Sequence, residues 1–216
     1  NIITHKSTTM KKITCMLLLL AALSANAQVK QRSTTKGFSA ALQVHSLGWT
    51  SEYFKFLDEG APNGFGGGIR LGYGINEMFE PYFAYDFTTI NLKDIDAESY
   101  KMNHMDLGVR LNFVGNVHPV RPFVEAGYTY LKGTIKRVIS GSTYVDAEYY
   151  GGKPHLGGGV SFFPSIPISL FAKGIFTVGK KSNLKLNGMV DSDKPDVTTF
   201  RITAGIGFNI QELLNK

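Results

Sequence analysis

Cysteine is almost missing from this chain of 216 residues: the one copy is Cys15, close to the N-terminus. Past that point neither a disulfide framework nor a thiolate metal site can be built. Long apolar runs are scarce as well. The longest, Ile13 to Leu23, is eleven residues and as a helix would rise only about 16 Å, roughly half a bilayer core. No stretch keeps helical periodicity for three turns, and no heptad or three-residue repeat runs through the chain, which excludes a coiled coil and a collagen. An aromatic content of 12% excludes a disordered chain. The excess of positive charge is slight. The formal balance is +6, but Lys6, Lys11 and Lys12 precede a segment expected to be removed, and without them it falls to +3. That is too little on a body of this size to argue for a nucleic-acid partner.

What is present at the N-terminus reads as an address. Met10-Lys11-Lys12 supplies a basic start, the apolar run follows, and Ala25-Asn26-Ala27 matches the small-x-small site of signal peptidase, so cleavage is expected before Gln28. Residues 1–9 stand upstream of Met10, the expected start. Cys15 lies before the leucine run and not after it, where an acylated lipoprotein cysteine would stand. The chain then divides into a short periplasmic lead over 28–36, a barrel over 37–210 and a tail over 211–216.

From Lys36 onward, apolar and polar residues alternate with period two, and turn residues interrupt them at regular intervals. The pattern predicts eight strands: 37–47, 64–75, 79–91, 101–114, 122–134, 154–163, 167–179 and 198–210. Connections after the second, fourth and sixth are short, whereas those after the first, third, fifth and seventh are long and polar. Sorting loops by length onto two ends is expected of a barrel whose ends face different compartments. The two faces agree. One carries Ile69, Leu71, Tyr73; Phe83, Tyr85, Phe87; Leu107, Val109, Leu111; Phe200, Ile202, Ile206. The other is rich in glycine with isolated charges, which suits the narrow lumen of an eight-stranded barrel. The apolar face would then meet lipid, with Tyr73, Phe113, Phe162 and Phe208 as an aromatic girdle at one rim. The fold class read from the sequence is all-β: an eight-stranded antiparallel up-and-down transmembrane β-barrel. Without helices, only a closed barrel satisfies every backbone group in a membrane.

Strand seven fits two registers. A lysine facing lipid near the midplane costs about 2–4 kcal/mol, so Lys173 is expected to point inward. The lumen then holds four bases (Arg70, Arg110, Lys173, Arg201) and four acids (Glu80, Asp86, Asp106, Glu125). Opposite charges in a dry interior should pair, giving a salt-bridged, non-conducting plug. A narrow porin-like passage for small solutes is the alternative.

The repeated phrases Glu80-Pro81-Tyr82-Phe83-Ala84-Tyr85 and Arg121-Pro122-Phe123-Val124-Glu125-Ala126-Gly127-Tyr128, with Gly68-Ile69-Arg70-Leu71-Gly72-Tyr73, Gly108-Val109-Arg110-Leu111-Asn112-Phe113 and Leu156-Gly157-Gly158-Gly159-Val160-Ser161-Phe162-Phe163, resemble the outer-membrane β-barrel domain family (OmpA/OmpX-like, often labelled porin family) of Gram-negative bacteria. The resemblance covers residues 37–210. It implies the outer membrane, a lipid environment, no cofactor and no catalytic residues to carry over. The chain departs from the pattern at its end, where Phe208 is followed by eight further residues and not by a terminal aromatic.

Three further features bear on chemistry. His45, His104 and His155 share the inward parity, seven to nine residues from Phe38, Phe113 and Phe163. Converging imidazoles could bind zinc or copper, but polar rim residues are the stronger reading. The run Asp94-Ile95-Asp96-Ala97-Glu98 lacks the glycine and spacing of a calcium loop and reads as a solvated loop. A lipid-modifying enzyme would need a serine beside a histidine; Ser46, Ser99 and Ser161 with His104 or His155 form no local motif, so the chain is read as non-enzymatic.

Alternation also continues beyond membrane height. Residues 134–139 and 143–149, and the segment Leu184 to Asp191 with Asn187-Gly188 as a type I′ turn pair, are expected to form paired ribbons outside the membrane. Free strand edges and exposed Tyr144, Tyr149 and Tyr150 would be offered to a host or cell-surface protein or glycan, the barrel itself being monomeric.

Overall fold

The structure is a computed structural model that describes residues 32–93, 95–140, 143–179 and 182–214. The leader, its cleavage site before Gln28, Cys15, Asp94 and the Gly141-Ser142 turn lie outside the described residues. Ten strands and two short helices follow one another: β1 (Gly37–Thr50), α1 (Lys55–Gly60), β2 (Asn63–Gly74), β3 (Phe79–Ile90), β4 (Ser99–Asn112), β5 (Val120–Ser140), β6 (Thr143–Ser165), β7 (Ile168–Thr177), β8 (Asn183–Leu186), β9 (Met189–Val190), β10 (Thr198–Asn209) and α2 (Ile210–Leu214). Eight of them close a barrel. The neighbours run β5-β4-β3-β2-β1-β10-β7-β6, and a β5–β6 pairing joins the two ends. Each pairing is antiparallel, so the up-and-down connectivity expected from the loop lengths is the one observed.

The register sets the faces. Leu42 lies opposite both Ile206 and Ile69, which puts three apolar side chains side by side on the outside. That outer surface leaves Leu107 67%, Leu156 66% and Ile202 60% exposed. A belt of apolar side chains this wide has no stable home in water and fits the hydrocarbon of a bilayer. At the lower rim Phe38 and Tyr73 pack at 4.7 Å between ring centroids. Lys173 is buried inside the barrel with Phe176 and Leu170 outside, in the register that the charge required.

The two ribbons expected beyond membrane height are present. β5 and β6 are far longer than 122–134 and 154–163, because their pairing continues as a ribbon to Ser140↔Thr143, with one irregularity between Ile135 and Val138 that puts Arg137 at φ 51°. Beyond β7, β8 and β9 form a hairpin through Asn187 (φ 49°) and Gly188 (φ 82°), both left-handed as a type I′ turn demands. This hairpin does not stand free. β8 pairs with Ala147–Tyr150 of β6 and covers that edge, while Ser99 to Asn112 of β4 covers β5 as far as Lys136. The free edges expected along these ribbons are therefore reduced to β9 and the tips of β5 and β6.

Candidate functional site

The barrel interior is the chemically richest region, and it has three levels. The lowest is the end that carries the short connections. Residues 32–35 fold back across the opening: the Arg32 and Ser33 amides donate to the Asn116 carbonyl at 2.8 and 3.1 Å. Thr34 Oγ1 and the Thr35 amide donate to the Glu77 carboxylate at 2.9 and 3.1 Å. Arg121, fully buried, donates to Glu77 Oε2 at 2.9 Å and to the Ser33 carbonyl at 3.2 Å. Burial opposes ionisation of Glu77, but the hydrogen bonds from Arg121, the Thr35 backbone and Thr34 outweigh it and hold the carboxyl below the usual carboxylate range. The described part of the lead, residues 32–35, thus lies across the mouth of the lumen. Above it a cavity of about 40 Å³ borders Arg70, Glu80 and Arg110, enough for a water or two.

The middle level holds the eight predicted charges, all of them buried. They fall into two clusters and not into four pairs. In the lower, Arg70 meets Glu80 at 2.9 Å, Arg110 meets Glu125 at 2.6 Å, and Lys173 meets Glu125 at 3.0 Å. Longer contacts from Arg70 to Glu125 (3.7 Å) and Arg110 to Glu80 (4.0 Å) tie the five into one network. In the upper cluster Arg201 alone bridges Asp86 and Asp106, the latter at 2.7 Å. The acids take further donors: Gln43 Nε2 on Asp86 at 2.6 Å and Thr129 Oγ1 on Asp106 at 2.7 Å. Aromatic faces complete the packing, with Arg110 3.8 Å from the Phe123 centroid and Arg70 4.5 Å from that of Tyr82. Gly68 and Gly72 make room for this. A Cβ at either would collide with the carboxylate of Asp86 or Glu80.

The three histidines line this level, each against a hydroxyl. His45 Nε2 is 2.7 Å from Thr88 Oγ1, and His104 Nε2 is 3.3 Å from Thr199 Oγ1. His155 holds two partners, Tyr82 Oη at 2.9 Å and Thr129 Oγ1 at 2.8 Å. Among the described residues no three His, Cys, Asp or Glu side chains stand close enough to hold a metal ion. The serines named beside them are dispersed: Ser46 faces outward, Ser99 is half-buried at the top of β4, and Ser161 is buried low in the barrel.

The top level is apolar, and sequence reasoning missed it. Leu47, Trp49, Leu57, Ile90, Tyr100, Met102, Leu131, Ile135, Tyr149, Leu184 and Val197 form one buried cluster that fills the barrel where it rises out of the membrane. α1 folds over it, and Trp49 Nε1 donates to the Ala61 carbonyl at 2.7 Å. Tyr149 is a correction: read as exposed and ready for a partner, it is fully buried, its hydroxyl bonded to that of Tyr100. Its parity puts it on the inside of β6, as Ala147 is, while Tyr150 and Glu148 point out. Tyr150 is half-buried against Tyr130, and Tyr144 alone of the three is well exposed, at 50%. The signal that could have found this core is present in the chain. Inward positions change from Gly, Arg and Asp to Leu, Trp, Ile and Met above His45, Thr88 and His104.

Loop 51–62 is pinned to the segment before β10. Asp196 accepts from Ser51 Oγ and from the Glu52 and Tyr53 amides, at 3.1–3.3 Å. Burial opposes its ionisation, but those amide bonds prevail and hold the carboxyl below its usual range. Tyr53 Oη donates to Asp193 at 2.8 Å, and partial burial with that bond pushes the phenol up to about 12.

Comparison with known proteins fits this geometry. The family described as outer membrane protein beta-barrel domain matches residues 15–215. No curated protein matches. Among solved structures, Neisserial surface protein A aligns over 81% of this chain and 97% of its own, with 18% identity and a TM-score of 0.58. The outer membrane protein AlkL aligns over 83% and 93%, with 12% identity and a TM-score of 0.56. Ail, the attachment invasion locus protein of Yersinia pestis, aligns over 81% and 100%, with 16% identity and a TM-score of 0.51. At these identities the likeness is one of fold.

Proposed function

Because this chain belongs to the outer membrane protein β-barrel domain family, we propose that it is a closed, non-conducting, non-enzymatic membrane barrel that acts at the cell surface through its outward-standing ribbons, after export with cleavage before Gln28. The observation that carries the reading is the stack of three seals inside one narrow barrel. The folded lead, the charge network and the apolar cap lie in series, and an ion would have to break all three. A porin-like passage has less support, since its path would run through Arg201, Asp86 and Leu131, all without solvent exposure. A hydrolytic function has less support still, because the hydroxyls nearest the histidines belong to threonine and tyrosine.

In planar bilayers the purified protein is expected to give no stable single-channel steps. Regular steps of porin size from the unmodified chain would overturn the closed-barrel reading. The surface role is carried by Tyr144, at 50% exposure, and by Met189 and Val190, at 73% and 71%, at the far edge of the β8–β9 hairpin. Removal of residues 136–148 would tear Val138 and Ala147 out of the apolar core, so substitutions are the cleaner test. Tyr144→Ala with Met189→Glu and Val190→Glu should leave the barrel folded and abolish attachment of expressing cells to a protein- or glycan-coated surface. Unchanged attachment would leave a structural role in envelope integrity.

A further inference from the structure

The outward face of the barrel is not symmetric at the upper membrane boundary. On β4 the outward row climbs through Val109, Leu107 and Met105 and then changes to Asn103 and Lys101. On β5 it climbs through Val124, Ala126, Tyr128 and Tyr130 to Lys132, Thr134 and Lys136. The pairings align these changes. Asn103, Lys132 and Tyr150 form one cross-strand row, and Lys101, Thr134, Glu148 and Lys185 form the next above it, with Ser99 and Lys136 above that. Strands lie about 4.8 Å apart and alternate residues about 7 Å apart along a strand, so the four lysines fall within a patch about 14 Å across in each direction. Among the described residues, the outward positions just above the apolar band on the other five barrel strands carry no charge: Ser46 and Gly48 on β1, Asn63 on β2, Thr89 on β3, Val178 just past the end of β7, and Thr198 on β10.

The patch is also shaped. Thr134, Lys136, Asp146, Glu148, Lys185 and Gly188 surround an open hollow of about 290 Å³. Lys185 Nζ lies 5.1 Å from the Tyr150 ring centroid, and Lys132 pairs with Glu148 at 2.8 Å, which leaves the acid engaged. The Asp146 carboxylate accepts from the Arg137 amide. Four lysines against two acids leave two net positive charges directly above Tyr128 and Tyr130, at the height where headgroups stand when the apolar belt sits in hydrocarbon.

We propose that this face, built by β4, β5, β6 and β8, binds the phosphate of an anionic lipid in the outer leaflet, with the lysines on the phosphate and Tyr130 and Tyr150 against the upper acyl chains. The β8–β9 hairpin then has a role apart from partner contact. By pairing with β6 it brings Lys185 into the patch, so a loop segment completes a lipid site that the barrel wall alone leaves unfinished.

The test is lipid retention. The whole barrel, reconstituted in phosphatidylcholine bilayers doped with phosphatidylglycerol and then released for native mass spectrometry, should carry phosphatidylglycerol in preference to phosphatidylcholine. A variant with Lys101, Lys132, Lys136 and Lys185 all changed to Gln should lose that preference by more than about tenfold at low salt, since it removes four positive charges from headgroup height. Changing Lys36, Lys55, Lys93 and Lys194 to Gln removes as much charge elsewhere and should leave it intact. Heat-modifiable gel migration reports whether each variant is closed; should the quadruple variant fail to close, the K101Q/K136Q pair carries the same comparison. Equal retention by wild type and lysine variant, or equal loss in the control, would overturn the proposal. Displacement of the lipid by millimolar inorganic phosphate would also overturn it, since the hollow would then read a free anion and not a headgroup.

Discussion

The lower and upper halves of one barrel interior are held together by opposite means. At membrane height the lumen is a charge network in which every carboxylate has several donors. Above the membrane the same strands enclose Leu, Ile, Trp and Tyr. The outside decides the difference. Where lipid surrounds the wall, apolar side chains gain nothing by turning inward, and the lumen is left to small and polar residues that satisfy one another. Where water surrounds the wall, burial of apolar area again drives packing, and the barrel has an ordinary hydrophobic core. The crossover comes within one strand: on β4 it falls between buried His104 and buried Met102.

That contrast can be broken from either side. The largest effect is expected from Arg201→Ala. Arg201 is the one base in contact with both Asp86 and Asp106, and its loss leaves two buried acids short of a partner, at a cost of about 3–5 kcal/mol. Urea unfolding in micelles, followed by heat-modifiable migration, measures it. Adding Asp86→Asn to that variant should recover part of the loss, and a double mutant as weak as the sum of the two would contradict the network.

A smaller effect should follow Leu131→Ala in the upper core, about 2–4 kcal/mol from lost burial and the cavity left behind. Its character should also differ. Amide exchange should rise in α1, β8 and the ribbon, while the membrane-level strands keep their protection. If exchange rises equally at both levels, the two halves are one cooperative unit and the comparison fails.

Acid should separate the ends more mildly. Glu77 and Asp196 lie outside the membrane-spanning part and both have folded pKa values below the unfolded one. Their contribution is therefore fully present above the unfolded carboxylate value of about 4 and is lost as pH falls through their folded values. Glu77→Gln should flatten the acid limb of the lead's stability, read as protease accessibility of residues 32–36, and should leave loop 51–62 unchanged. The smallest effect is expected from Gly188→Ala, about 1 kcal/mol for a left-handed residue, confined to the β8–β9 hairpin.

Much of this architecture was legible in the chain. Alternation, loop lengths and the Lys173 parity lead to eight barrel strands, their faces and the eight lumen charges at membrane height, though not to buried Arg121 and Lys153, because a period-two pattern assigns each side chain to a side without knowledge of its neighbours. The Asn187-Gly188 turn was legible for a similar reason, as a local demand for two left-handed residues. Which acid meets which base was not. Glu125 is shared by Arg110 and Lys173, and Arg201 by two acids, through a barrel shear that only closure fixes.

The sequence by itself determined the class of fold and what lies inside and outside at membrane height, since those follow from parity along each strand. Tertiary structure alone decided that Tyr149 is buried, that β8 covers the edge of β6, and that Ser33 to Thr35 fold under the barrel onto Glu77 and Arg121. Each depends on a contact between segments at least 33 residues apart, counted from Tyr150↔Asn183 upward. Such contacts form only once the barrel has set its diameter and register, and nothing in the local pattern encodes them.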